Sequence, residues 1–197
     1  KNPQDRLINQ AVDIIKKGGI IIFPTDTIYA IGCDAFNNKT TEQLCKIIGK
    51  KPEKANLSLI CKDLSDISTY TTPFNTSIFR AMKASLPGPF TFILNANNNV
   101  PKLLKTNRKT IGIRVPDNEI VRAICDKLGH PLISASIHSE DDIIEYMNDP
   151  EEIDNKFEKI VDLIIDGGLG AIEPSTVIDC TGSEPEIIRQ GKGIFEF

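Results

Sequence analysis

Four short stretches of this chain concentrate hydroxyls, some of them with a cation or a carboxylate. Thr25-Asp26-Thr27-Ile28-Tyr29 presents three hydroxyls and a carboxylate directly after an apolar run. In Thr110-Ile-Gly-Ile-Arg114 the alternation of an extended strand puts Thr110, Gly112 and Arg114 on one face and both isoleucines on the other. Ser134-Ala-Ser136 repeats the pattern, and Pro174-Ser-Thr176 adds another hydroxyl pair before Val-Ile-Asp179. A planar guanidinium beside a hydroxyl suits bidentate recognition of a carboxylate or phosphate, so Arg114 is the first candidate for holding an anion. None of these stretches pairs a nucleophile with a base. The chemistry they suit is binding and alignment of substrates.

The elements that would carry them follow from periodicity. Leu7, Ile8, Ala11, Val12, Ile14 and Ile15 recur at helical spacing over residues 4–17, and Gly18-Gly19 stops the helix. Ile20–Phe23 is a buried strand, and Pro24 opens a Thr-rich loop. Further helices are expected over Glu42–Ile48, capped by Thr40 or Thr41, and over Asn75–Ser85 and Asn118–Leu128. Strands are expected at Leu57–Cys61, Phe90–Leu94, Thr110–Val115, Leu132–Ser134, Val161–Ile165, Thr176–Asp179 and Ile187–Arg189. Strands alternating with helices predict an α/β protein with a largely, not wholly, parallel sheet, in a single domain over residues 1–197. Ligands of such sheets bind beyond the strand ends, where the first hydroxyl cluster lies.

Composition removes several classes. The 197 residues are 40% hydrophobic and 25% charged, ordinary for one folded domain. The longest apolar runs fall well short of the roughly 20 residues of a membrane span. No signal-peptide pattern opens the chain, and five Cys without a CxxC pair suit free thiols in a cytoplasmic protein. There is no Walker A sequence and no GxGxxG running from strand into helix; Gly167-Gly-Leu-Gly170 leads instead to Glu173-Pro174. Cys125, His130 and His138 match no zinc spacing, so no metal site is expected.

Charge is unevenly spread. Between Pro87 and Pro116 there is no Asp or Glu, but Lys102, Lys105, Arg108, Lys109 and Arg114 are present. From Ser139 to Asp166, 11 acids stand against two lysines, a balance of −9; removed from the total of −4, this leaves +5 elsewhere. A protein acidic overall can thus present a basic face to phosphate-bearing ligands.

Taken in order, Pro24-Thr-Asp-Thr-Ile-Tyr-Ala-Ile-Gly-Cys-Asp34, Leu86-Pro-Gly-Pro-Phe-Thr91, Thr110-Ile-Gly-Ile-Arg-Val-Pro116, Ser134-Ala-Ser136, Pro174-Ser-Thr-Val-Ile-Asp179 and Ile188-Arg-Gln-Gly191 resemble the motifs of the YrdC family. The resemblance covers nearly the whole chain, with motifs from about residue 7 to 191. Leu59-Ile-Cys-Lys-Asp-Leu-Ser65, Thr69-Tyr70 and Val161-Asp-Leu-Ile-Ile-Asp-Gly-Gly168 are most similar to its YciO branch. The resemblance implies a twisted mixed sheet flanked by helices around a basic cavity. It also implies a nucleotidyltransferase activity: L-threonine, bicarbonate and ATP with Mg2+ giving threonylcarbamoyl-AMP and pyrophosphate, in service of tRNA threonylcarbamoyladenosine modification in the cytoplasm.

Residue by residue, the resemblance assigns Thr27, Tyr29, Arg114, Ser134 and Thr176 to L-threonine, and Thr110, Ser136 and Arg189 to the nucleotide. Two departures stand out. The Lys-x-Arg pair of the synthases aligns with Gly49 and Lys51, or after a one-residue slip with Lys50 and Lys51, and their Ser-x-Asn aligns with Ser136 and His138. Losing two charge-assisted contacts of about 1.5–3 kcal/mol each would cost on the order of 10²–10⁴ in rate. The alternative function is a non-catalytic YciO-type factor that binds double-stranded RNA, tRNA or the ribosome through Lys105, Arg108 and Lys109. The chain ends soon after the Arg189 motif, so no additional C-terminal domain is expected.

Overall fold

The computed structural model describes residues 3–105, 107, 109–140 and 145–196. Helix α1 (Asp5–Lys16) buries Ile8, Ala11, Val12 and Ile15, one stripe of its surface, and ends at Gly18, whose φ of 86° is the left-handed conformation glycine adopts freely. It leads into β1 (Ile21–Phe23), buried on both faces. The Thr-rich stretch does not stay a loop: β2 (Ala30–Asp34) turns back antiparallel to β1, with Ile22 opposite Ile31. Helix α2 (Asn38–Ile47) starts earlier than the hydroxyl pattern predicts, because Asn37 caps it through Thr40 N–H while Thr40 and Thr41 are buried inside it.

After a 3-10 turn at Pro52–Lys54 come β3 (Ser58–Ile60), α3 (Leu64–Tyr70), α4 (Thr76–Ser85) and β4 (Phe90–Asn95). A second 3-10 turn, Lys102–Leu104, precedes β5 (Thr110–Arg114). Helix α5 (Glu119–Leu128) is capped by Asn118 and closed by Gly129 in the left-handed region, and β6 (Leu132–Ser136) follows. Last come α6 (Pro150–Phe157), β7 (Leu163–Ile164), β8 (Thr176–Asp179) and β9 (Glu186–Arg189).

The nine strands of the described residues join one sheet in the order β7-β1-β2-β6-β3-β5-β4-β8-β9. Only β7–β1, β3–β5 and β4–β8 pair parallel; the other five neighbours are antiparallel. The expectation from periodicity of a largely parallel sheet is therefore corrected, and the mixed sheet that the resemblance implies is the one found. Alternating strands and helices fix neither partner nor direction, and the β1–β2 hairpin brings β6 beside β2 as a third antiparallel partner.

Register explains the two faces. On one face Ile22, Ile31, Ala135, Ile133, Leu59, Ile113 and Phe92 follow one another across the strands and form the main core, sealed with Leu44, Met82, Ile153 and Phe157. The other face is divided. Ile21, Phe23, Ala30, Ile60 and Leu132 lie under α1 and α5. Beyond those helices the same face changes character: Gly32, Ser134, Ser58 and Gly112 stand side by side on β2, β6, β3 and β5. The Phe23 ring covers Gly32, and Ser134, Ser58 and Gly112 leave a shallow polar floor beside it.

Candidate functional site

Strand alternation places Thr110 and Arg114 on this floor with Gly112, and Ser136 with Ser134. A Cβ on Gly112 would lie 2.9 Å from Ser58 Oγ and 3.1 Å from the Thr91 methyl, so the glycine keeps the floor low between them. Ser134 Oγ donates at 3.4 Å to the Ser58 carbonyl. Arg189 arrives on β9 opposite Val177, on the same side as Thr91. Its Nε and Nη2 donate to the Ser175 carbonyl at 3.3 and 2.8 Å, and Ser175 Oγ lies 2.7 Å from Thr91 Oγ1.

The β1–β2 loop supplies one wall. Arg114 Nη2 donates to Thr27 Oγ1 at 2.8 Å and to Asp26 Oδ1 at 3.2 Å. Asp26 Oδ2 accepts from Asp117 N–H at 3.0 Å, and Lys192 Nζ donates to the Asp26 carbonyl. Arg114 and Thr27 are buried, and Arg114 Nε, also buried, has no hydrogen-bond partner among the described residues. Burial pulls the guanidinium below its ordinary pKa, Asp26 opposes this, and the charge of Arg189 adds to it. A buried donor without an acceptor is costly, and a ligand oxygen would remove that cost.

Tyr29 is fully buried, its hydroxyl donating to the Gly168 carbonyl at 2.7 Å and accepting from Gly167 N–H at 3.0 Å. Burial raises its pKa. A Cβ on Gly170 would come within 2.9 Å of the Tyr29 ring, and Ala171 N–H donates to the Thr27 carbonyl. Tyr29 thus ties the 167–171 loop down beside Thr27. Thr176 is likewise occupied with backbone: its hydroxyl donates to the Gly193 carbonyl at 2.6 Å and accepts from Gly191 N–H at 3.0 Å.

At the far end of β6, His138 pairs with Tyr146, with ring centroids 4.8 Å apart. Burial, then Lys50, lowers its pKa; Glu145 opposes them and Arg189 adds to them. The charge of Arg189 thus opposes protonation at both Arg114 and His138, and that of Lys50 opposes it at His138. Of the two aligned lysines, Lys50 is the one whose charge reaches His138, while Lys51 opens the first 3-10 turn. Lys105 and Lys109 lie before β5, and Arg108 lies outside the described residues. Among the described residues no three His, Cys, Asp or Glu side chains group as a metal site, and no helix is long and apolar enough to cross a membrane.

The structure therefore brings Thr27, Arg114, Thr110, Ser134, Ser136 and Arg189 to one face or its wall. Asp26, Lys192 and Ser58 complete it. Asp26 is visible in the sequence as the carboxylate among the hydroxyls, whereas nothing in the sequence singles out Ser58 or Lys192.

The family model Sua5_yciO_yrdC, described as "Telomere recombination", matches residues 13–191. The chain is 47% identical over 193 residues to the uncharacterized protein YciO of Escherichia coli (strain K12), covering 98% of this chain and 92% of that one. The crystal structure of E. coli YciO superposes with a TM-score of 0.91 at 45% identity, over 98% of this chain and 93% of that one. A threonylcarbamoyl-AMP synthase of Coxiella burnetii is 30% identical over 171 residues, 87% of this chain and 90% of that protein. The P. abyssi Sua5 structure complexed with L-threonine shares the fold, with a TM-score of 0.87 at 22% identity, over 97% of this chain and 56% of that one. The chain belongs to the Sua5/YciO/YrdC family.

Proposed function

We propose that this member of the Sua5/YciO/YrdC family is a threonylcarbamoyl-AMP synthase-type nucleotidyltransferase acting in the cytoplasm on the path to threonylcarbamoyl-modified tRNA. The observation that carries this reading is Arg114, a buried guanidinium anchored to Thr27 and Asp26 with Nε lacking a partner among the described residues. An amino-acid carboxylate beside a small polar side chain satisfies that donor, and threonine has both groups. The relation to a synthase at 30% identity and to a threonine-binding Sua5 by fold supports the same substrate.

The proposed reaction runs in two steps. Threonine's amine and bicarbonate give a carbamate with loss of water. A carbamate oxygen then attacks the α-phosphorus of ATP; the new P–O bond forms as the bond to the β-phosphate oxygen breaks, and pyrophosphate leaves. Such a displacement needs alignment and charge neutralisation, not a protein nucleophile. In this reading Thr27, Arg114, Ser134, Thr176 and Tyr29 belong to the threonine end, and Thr110, Ser136 and Arg189 to the nucleotide end. Mg2+ would enter on the triphosphate as part of the substrate.

The test is pyrophosphate release with ATP, bicarbonate and L-threonine, threonine being omitted in the control. Threonine-dependent release is the expected result; its absence with purified folded protein overturns the reading.

A second reading has its own observation. The two 3-10 turns pack against each other, which gathers Lys51, Lys54, Lys102 and Lys105 into one region. A non-catalytic factor that binds double-stranded RNA, tRNA or the ribosome would use such a patch through phosphate contacts.

A further inference from the structure

A cavity of about 230 Å³ lies past the carboxyl ends of β3 and β5, a parallel pair in the middle of the sheet. Strand ends of this kind are where open α/β sheets take ligands. Asp63 and Leu64 come from the β3–α3 connection, Leu86 and Pro87 follow α4, Val115 follows β5, and Arg122 belongs to α5. Gly88 N–H donates to the Val115 carbonyl at 3.0 Å, and Cys61 N–H donates to the Arg114 carbonyl at 2.9 Å. The walls are therefore fixed to one another without a ligand. Leu86 and Val115 are buried members of the main core. Val115 thus faces away from the floor that holds Arg114, and the cavity is a separate place.

Two opposite charges line it. Arg122 Nε donates to the Lys62 carbonyl at 3.2 Å, which fixes the guanidinium; its Nη atoms have no acceptor among the described residues. Asp63 Oδ1 accepts from Ser65 N–H at 2.8 Å and from the Ser65 hydroxyl, and this cap sets the direction of the carboxylate. Those hydrogen bonds hold its pKa below the ordinary carboxylate value, so it is ionised at neutral pH. Among the described residues the two charges form no ion pair with each other, and Lys62 pairs with Asp126 at 3.1 Å. A cation and an anion that share one small cavity without meeting leave room for a ligand that carries both charges.

We propose that this cavity binds a free aliphatic α-amino acid, with its carboxylate on Arg122, its ammonium on Asp63 and its side chain against Leu64, Leu86, Pro87 and Val115. A guanidinium anchored at Nε still offers its Nη donors to a carboxylate. The apolar walls favour leucine, isoleucine or valine over threonine, whose hydroxyl meets no polar group on them. The volume is below the roughly 300–1,000 Å³ of pockets for larger ligands, so a single amino acid fits and a nucleotide does not. This assignment does not rest on the synthase reading, which is carried by Arg114.

L-Leucine is the probe, titrated into methyl-labelled protein and followed by NMR. The methyls of Leu64, Leu86 and Val115 should shift and saturate below about 10 mM, while those of Val12 on α1 stay still. Arg122→Gln and Asp63→Asn should each weaken binding at least about tenfold, and asparagine still caps α3, so the second variant keeps the local fold. Two analogues test the charges without altering the protein. Isocaproate lacks the ammonium and isopentylamine the carboxylate, and each should bind at least about tenfold more weakly than leucine. L-Threonine should need at least about tenfold more ligand to move Leu64 and Leu86. No saturable shift at these methyls, equal affinity for leucine and isocaproate, or binding that both variants leave unchanged overturns the proposal. None of those outcomes touches the synthase reading, which pyrophosphate release decides.

Discussion

Asp26 and Arg114 form a buried ion pair, 3.2 Å from Oδ1 to Nη2, with 10% and 8% of their side chains exposed. The carboxylate's other oxygen is fixed by Asp117 N–H, so the β1–β2 loop, the end of β5 and the start of α5 meet at one contact. Arg114 is held in place before any ligand arrives, which favours binding by sparing the ordering cost.

Removing Asp26 therefore strands a buried cation. Asp26→Ala should lower the unfolding free energy by about 3–5 kcal/mol in urea titration, while the double change Asp26→Ala with Arg114→Met recovers much of it. A loss below about 1 kcal/mol for the single variant would show that the pair is solvated and does not organise the loop.

The glycines make a contrasting pair. At Gly112 an added Cβ meets only side-chain atoms of Ser58 and Thr91, whereas at Gly191 it meets the Pro174 carbonyl oxygen and the Ser175 backbone within 2.6 Å. Gly112→Ala should keep most of its stability, losing about 1–2 kcal/mol, yet weaken ATP binding at least about tenfold by raising the floor. Gly191→Ala should lose about 3 kcal/mol or more, because backbone cannot step aside. Thermal melts and ATP titration of both variants separate the two effects.

Tyr29→Phe removes one hydroxyl that holds both Gly167 N–H and the Gly168 carbonyl. About 1–2 kcal/mol of stability should go, since two part-buried hydrogen bonds to the loop backbone are lost. Hydrogen exchange at residues 167–171 should accelerate by more than at α5. Uniform acceleration would mean that the tyrosine supports the whole sheet and not this loop.

The five cysteines are all free and buried, and burial pushes Cys33, Cys125 and Cys180 up to about 12. Fewer than about one in ten thousand of these thiols is ionised at pH 7.5, so iodoacetamide should modify none of them in the native protein and all of them in urea. The sign for stability follows. Folded values lie above the ordinary 9.0, so this contribution is complete below pH 9 and is lost as pH rises towards 12. Urea midpoints at pH 7.5, 9 and 10.5 should be flat and then fall.

If the basic residues before β5 serve RNA, charge reversal at Lys105 and Lys109 together should weaken duplex RNA binding at least about tenfold at low salt, and the wild-type affinity should fall steeply with added salt. Affinity untouched by both changes would remove that reading while leaving the synthase assay unaffected.

Much of this architecture is readable from residue order. Asn118 and Gly129 bracket α5 as expected, and Ile20–Phe23 contains a strand buried on both faces. The alternation Thr110–Gly112–Arg114 fixes one line of the floor correctly. Strand β2 escapes the reading because Pro24 and the threonines signal a loop, and the apolar stretch after Tyr29 is interrupted by Gly32. That glycine is required: a Cβ there would sit 2.8 Å from the Phe23 ring and from the Ile133 carbonyl oxygen. Helices α3 and α6 are missed since their caps, Asp63 and Asp149, sit among other acids or hydroxyls that carry the same signal. Ser58 and Lys192 enter the site through pairing partners far along the chain, which no local pattern encodes.

The strand order has a kinetic meaning. Arg114 reaches across 87 positions to Thr27, Ser134 across 76 to Ser58, and β7 closes on β1 only after most of the chain has been laid down. Loops of that length are slow to close, and each contact gains little until its neighbours exist. No early hairpin or helix pair can hold even half of the floor, so ligand-binding competence should appear in the last phase of refolding, together with full native protection, and never in a partly folded intermediate.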